Sequence, residues 1–173
     1  MALRELSSLE KYLGLKKPNK YSTRGDKKFP VLQNNNGPPL MGLVTIARHL
    51  VKEAKCPELL GQTAKDRAVV HQWLEYRVSK LDGVSKDGSR SILKDLNLYL
   101  QDKVCLAGNH FTLADVLMYN GIHPLIVDLT FQEKEQYMNV TRWFDHIQHR
   151  AGIRHHLPPV VVLKNNIYTH KHH

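Results

Sequence analysis

The stretch Phe111-Thr112-Leu113-Ala114-Asp115-Val116 decides how the rest of the chain is read. At this spacing the Thr112 hydroxyl accepts a hydrogen bond from the Asp115 amide, and the Asp115 carboxylate returns one to the Thr112 amide, an aspartate form of the capping box. Phe111 and Val116 fall at the two positions of a hydrophobic staple. Such a cap satisfies amides that a helix start otherwise leaves unpaired, suits the helix dipole, and stabilises by about 1 kcal/mol. Asp115 is therefore read as a structural acid and not as a general base, at the head of a long helix.

Downstream, Pro124 falls inside that helix, removes one hydrogen bond and is expected to kink it. In the later run Asn139-Val140-Thr141-Arg142-Trp143-Phe144-Asp145-His146-Ile147-Gln148-His149, Trp143 is assigned to the core, with Phe144 and Ile147 competing to define the buried face. The tail Pro158-Pro159-Val160-Val161-Val162-Leu163 reads as extended and apolar, packed across the helices before it.

Upstream, Ile92, Leu93, Leu96, Tyr99 and Leu100 repeat a helical spacing after a break over Gly83 to Gly88. Before the break, Thr63 to Asp66 can cap a helix whose apolar face is Val69, Val70, Trp73, Leu74, Val78 and Leu81. Leu43, Ile46, Ala47, Leu50 and Val51 give one more helix, and Leu6, Leu9 and Leu13 another, ended by Gly14 in a left-handed cap. Between these two lie an exposed basic stretch, Lys16 to Lys28, with a short strand at its edge, and the apolar run Phe29-Pro30-Val31-Leu32. A turn over Asn34-Asn35-Asn36-Gly37-Pro38-Pro39 follows. The segment Cys56-Pro57 to Thr63 divides a small mixed lobe, residues 1–56, from a helical lobe, residues 57–173.

The chain has 173 residues, 42% hydrophobic and 24% charged, enough to bury a core. No apolar run reaches the roughly 18 residues of a membrane span, and the start lacks a signal-peptide core, so a cytosolic protein is expected. Cys56 and Cys105 are read as two thiols. The net charge is +9, with basic residues gathered early (Lys11, Lys16, Lys17, Lys20, Arg24, Lys27, Lys28) and late (Arg150, Arg154, Lys164, Lys171). Such a field attracts polyanions or acidic protein faces, so direct tRNA contact is allowed, although no aromatic-and-basic alternation of the RNA-recognition kind accompanies it. Neither His146 with His149 nor His155 with His156 has a zinc-ligand set, and no cofactor or metal is expected. The terminal His170, His172 and His173 are set aside.

Taken together, Phe29-Pro30-Val31-Leu32, Leu43 to Leu50, and Gly108 to Asp115 resemble the glutathione-transferase fold. The resemblance covers nearly the whole chain after about residue 28, and it implies an α+β, mostly α architecture: a truncated thioredoxin-like lobe followed by an all-helical lobe. It equates Pro30 with the family's cis-proline. The longer strings Gln72 to Arg77, Leu93 to Asn97 and Asn139 to His149 resemble the transferase-like auxiliary scaffolds of the multi-aminoacyl-tRNA-synthetase complex. Two departures from the enzymes stand out. Only 29 residues precede Pro30 and they open on a helix, so the strand carrying the residue that activates the glutathione thiol is expected to be missing. Gly42 and Leu43 stand where the enzymes place an acid or amide followed by a serine, and neither can hold the glutamyl end of glutathione.

The resemblance thus implies a non-catalytic adaptor. Its partners would be the transferase-like lobes of methionyl-tRNA synthetase and glutamyl-prolyl-tRNA synthetase, with tRNA or elongation-factor subunits as further candidates. A nuclear role in DNA-damage signalling is implied by the same resemblance. The expected partner-binding residues are Arg142, Asp145, His146 and His149 on the late helix, and Arg48 and His49 on the helix from Val44 to Lys52. The alternatives are a general tRNA-binding module and a residual glutathione-dependent enzyme.

Overall fold

A computed structural model describes residues 2–16, 19–26, 29–33, 37–150, 152–154 and 157–161. The expected turn at Asn34 to Asn36, the pair His155 and His156, Lys17, Lys27 and Lys28, and everything past Val161 lie outside these residues. The chain opens on α1 (Ala2–Leu13), which buries Leu6 and Leu9 and ends at Gly14 with φ 75°. Strands β1 (Tyr21–Arg24), β2 (Phe29–Leu32) and β3 (Leu40–Met41) form an antiparallel sheet in that order. Helix α2 (Leu43–Glu53) returns over it, burying Leu43, Val44, Ile46, Ala47, Leu50 and Val51. A 3-10 turn (Pro57–Leu60) then leads into α3 (Ala64–Tyr76), α4 (Lys86–Tyr99), α5 (Leu113–Val127), α6 (Phe131–Gln136) and α7 (Met138–Gln148). One buried apolar cluster runs through both regions, from Leu6, Leu32 and Ile46 to Leu74, Leu96, Leu117 and Phe144.

The sheet explains how Pro30 sits in a central strand. Its carbonyl accepts from Gly42 N–H at 2.9 Å, so its missing N–H faces the Gly42 carbonyl. That carbonyl is already taken by Ile46 N–H in the first turn of α2, at 3.1 Å, so no ladder bond is lost. The peptide bond before Pro30 is trans, since no cis bond occurs among the described residues. The expected cis-proline is thereby corrected: the proline is accommodated by register with α2. At the other margin, Lys20 C=O accepts from Gln33 N–H at 3.2 Å. With the register Tyr21↔Leu32 and Thr23↔Pro30, the backbone groups of Tyr21 and Thr23 face outward on an edge that no strand of the described residues covers.

Two other expectations shift. Residues Arg77–Leu81 continue α3 as a π-helical turn. The wider turn moves the register by one residue, so Val78 is exposed and Arg77 is buried in its place. The break at Gly83 is shorter than expected, because Ser85 caps α4 by accepting Gly88 N–H at 3.2 Å. Helix α5 continues through Pro124 to Val127.

The cap that set the reading is present in half. Asp115 Oδ2 accepts from Thr112 N–H at 3.0 Å, while Asp115 N–H closes on the Thr112 carbonyl at 3.1 Å. Thr112 Oγ1 faces the Asp115 amide but is buried without a hydrogen-bond partner among the described residues. The tail packs as expected as far as Val161. Gln148 holds both backbone groups of Val160 (2.8 and 3.0 Å), Lys134 Nζ donates to Val161 C=O, and His123 Nε2 meets Pro158 C=O at 2.9 Å.

Candidate partner-binding surfaces

Helix α7 presents one stripe to solvent because its opposite face is consumed by Val140, Trp143, Phe144 and Ile147, all buried against α4 and α5. Arg142, His146 and His149 are exposed on that stripe and Asp145 is half-buried. They are brought together, but they are not equally free. Arg142 Nη2 donates to the carbonyls of Leu100 and Lys103 (2.7 and 2.9 Å), closing the 3-10 turn Leu100–Asp102. Asp145 accepts from Gln148 and pairs with His149 at 3.3 Å. His146 forms no hydrogen bond or ion pair among the described residues.

Apolar side chains that sequence reading left out adjoin this stripe. Met138 (68% exposed) lies at its head, and Leu98 (63%) and Val104 (52%) come from α4 and from the turn that Arg142 closes. Two links fix the position of Leu98 beside α7: Asn97 Oδ1 accepts from Asn139 N–H and its carbonyl from the Asn139 side chain. A shallow groove lined by Gln101, Lys103, Val104, Arg142 and His146 results. The signal available in the sequence was only an apolar residue breaking the helical period at Leu98. Its placement beside α7 depends on the Asn97–Asn139 contact, 42 residues apart.

The second surface is on α2. Arg48 and His49 are half-buried and line a groove of about 340 Å³ with Val44, Lys52, His71 and Glu75, so α3 supplies one side of it. His49 pairs with Glu53 at 3.5 Å, one helical turn on. Helix α2 packs on α1 and the sheet whereas α7 packs on α4, α5 and α6, so the two surfaces belong to different parts of the molecule.

Between them lies the cap, whose residues are structural. Asp115 is fully buried and accepts three bonds: from Thr112 N–H, from Leu106 N–H at 3.0 Å and from Trp143 Nε1 at 2.8 Å. Burial raises its carboxyl above the ordinary value of 3.8, and those donors act against the rise. Phe111 stacks edge-on with Tyr12 (centroids 6.0 Å apart) and carries the Arg150 guanidinium 4.0 Å above its ring. The positions equated with glutathione binding offer little: Gly42 has φ 94° and no side chain, and Leu43 is buried in the core. No cluster of three metal-binding side chains occurs among the described residues.

Residues 66–151 match the family model described as nuclear-export cofactor Arc1p. Among solved structures, the theta class glutathione S-transferase of Xanthomonas axonopodis pv. citri superposes with a TM-score of 0.69 over 92% of both chains at 16% identity, which shows the glutathione-transferase fold. The bifunctional glutamate/proline–tRNA ligase of Mus musculus is 26% identical over 64% of this chain, a match that spans 7% of that enzyme. Eukaryotic translation elongation factor 1 epsilon-1 of Homo sapiens is 61% identical over 99% of both chains. An identity of that size, sustained from end to end on a shared fold, shows that the chain belongs to the eukaryotic translation elongation factor 1 epsilon-1 family.

Proposed function

We propose that this protein is a non-catalytic scaffold of the multi-aminoacyl-tRNA-synthetase complex, joining two synthetases through their transferase-like lobes. The observation that carries the reading is the presence of two separate surfaces, on α2 and on α7, in a member of this family. A chain with two such faces can hold two partners at once, and each interface would bury on the order of 1,200–2,000 Å². The likeness to a short region of the glutamate/proline–tRNA ligase supports pairing between similar lobes. The lobe of methionyl-tRNA synthetase is the other partner on the resemblance described above. On α7 the anchors are His146, Asp145, His149 and the outer edge of Arg142, with Met138, Leu98 and Val104 as the apolar part. On α2 they are Arg48 and His49. Gly42 and Leu43 support the absence of glutathione chemistry.

Size-exclusion chromatography with light scattering, on the full chain mixed with both isolated lobes, tests this. A ternary species is expected. His146→Glu should weaken one lobe about tenfold and spare the other, and Arg48→Glu should do the reverse. His146 is the better probe than Arg142, whose loss would also open the turn it closes. Failure of both lobes to bind at micromolar concentration would sink the scaffold.

Direct tRNA contact is the second reading, motivated by the charge of +9 and by the Arc1p match. It requires tRNA binding without any synthetase, falling steeply with salt. We also infer a cytosolic location with a nuclear role in DNA-damage signalling, which cell fractionation before and after damage would test. Residual glutathione-dependent activity would show as retention on immobilised glutathione.

A further inference from the structure

A groove of about 740 Å³ lies between the π-helical turn, the head of α4, the second half of α5 and α6. It shares no lining residue with either surface described above. Its size falls in the range of pockets that take small ligands or single side chains, roughly 300–1,000 Å³. Each wall lacks part of the regular helical hydrogen-bond pattern where it faces the groove. One is the π-helical turn Arg77–Leu81, a distortion that concentrates at functional sites. The other is α5 around Pro124, which has no N–H to give the Asn120 carbonyl. The walls approach closely at Gly121, where an added Cβ would lie 2.6 Å from Arg77 Cδ.

Hydrogen-bond acceptors beside these walls are left unused. Asn120 donates from Nδ2 to Val116 C=O, and its Oδ1 is buried with no partner among the described residues. Its backbone carbonyl has lost the donor that a residue other than proline would supply. The cations of the groove, by contrast, are mostly engaged. Arg77 is held by Glu5 and Asp82, and Arg90 pairs with Glu133 at 3.3 Å. Lys86, Asp87 and Asp128 form no ion pair among the described residues, and the lining acids Asp82, Asp87, Asp128 and Glu133 outnumber the bases Arg77, Lys86 and Arg90. The groove is thus net negative and rich in acceptors, within a chain of net charge +9.

We propose that this groove binds a cationic side chain, arginine or lysine, presented by a basic peptide segment. The ammonium or guanidinium would take the Asn120 oxygens and the Asp128 carboxylate, and its alkyl stem would lie along Leu81, Pro124 and Leu125. A neutral ligand would leave the same acceptors unpaired, which is the basis of discrimination.

The test is an NMR titration of the isotope-labelled full chain with acetyl-Gly-Arg-Gly-amide and its norleucine counterpart. Saturable shifts at Gly83, Asn120 and Gly121 are expected with the arginine peptide alone. Asp128→Asn and Asn120→Ala should each weaken binding by about threefold or more, that is about 0.7 kcal/mol at RT ≈ 0.59 kcal/mol. Equal shifts with norleucine, no shift at millimolar peptide, or unchanged affinity in both variants would overturn the site. Tighter binding of spermidine than of the peptide would overturn the choice of a peptide as its ligand.

Discussion

At Asp115 a single carboxylate ties together a helix start, a loop and the indole of α7. Asparagine there keeps one oxygen for Leu106 and Trp143 but turns an amide group towards Thr112 N–H, donor against donor. Asp115→Asn should therefore cost about 1–3 kcal/mol in urea unfolding, with a shift in Trp143 emission. The structural role was legible because the bond to Thr112 is local in sequence. The bonds from Leu106 and Trp143 were not, since nothing in the spacing joins residues 9 and 28 apart. The thiols divide in the same way. Burial first, and then the neighbouring Asp115 charge, push the Cys105 thiol up to about 12, while Cys56 is half-exposed. A thiol reagent at pH 8 should modify one cysteine in the native protein and the second only after unfolding.

Among the elements, the turn after α3 carries the largest departure from periodic expectation. A helical period assigns Val78 inward, yet one widened turn places Arg77 there, and a one-residue slip leaves no mark on a pattern of apolar residues. The buried guanidinium meets Glu5 of α1 in a two-pronged pair (2.6 and 2.7 Å), with Asp82 at 2.8 Å and the Leu117 carbonyl. Burial opposes the charge on Arg77, but Glu5 and Asp82 outweigh it, so its pKa is raised and the group stays a cation. Glu5→Gln removes one partner of a buried pair and should cost about 3 kcal/mol. Burial raises the Glu5 carboxyl above its ordinary 4.5, with Arg77 pulling the other way. The native state then keeps a proton that the unfolded chain has released, so stability falls as pH climbs from 4.5 through the native value. Unfolding free energies of the wild type minus those of Glu5→Gln should show that fall, and a flat difference would mean that Glu5 is ionised throughout. By contrast, the helices α2, α4 and α7 were legible from their apolar stripes, because each faces the core on one side only.

For the whole molecule, the apolar cluster that runs from α1 and the sheet into α7 joins the two sequence regions through one core. A single unfolding transition is expected, with calorimetric and van't Hoff enthalpies equal; two resolved transitions would show independent lobes. The overall architecture was legible from motifs spread along the chain, whereas the groove beside α5 was not, since it forms from one proline, one glycine and one wide helical turn that the sequence does not place together. The open margin of the sheet has a last consequence. Unpaired backbone groups on an edge strand are a template for stacking one copy on another, the first step of fibre growth. Here the strand is only four residues long and is bracketed by Lys20 and Arg24, both exposed, so approaching copies repel. Replacing both with alanine, or adding enough salt to screen them, should shorten the lag before turbidity appears on warming. The basic margin would then act as a guard on colloidal stability, whatever else its charge attracts.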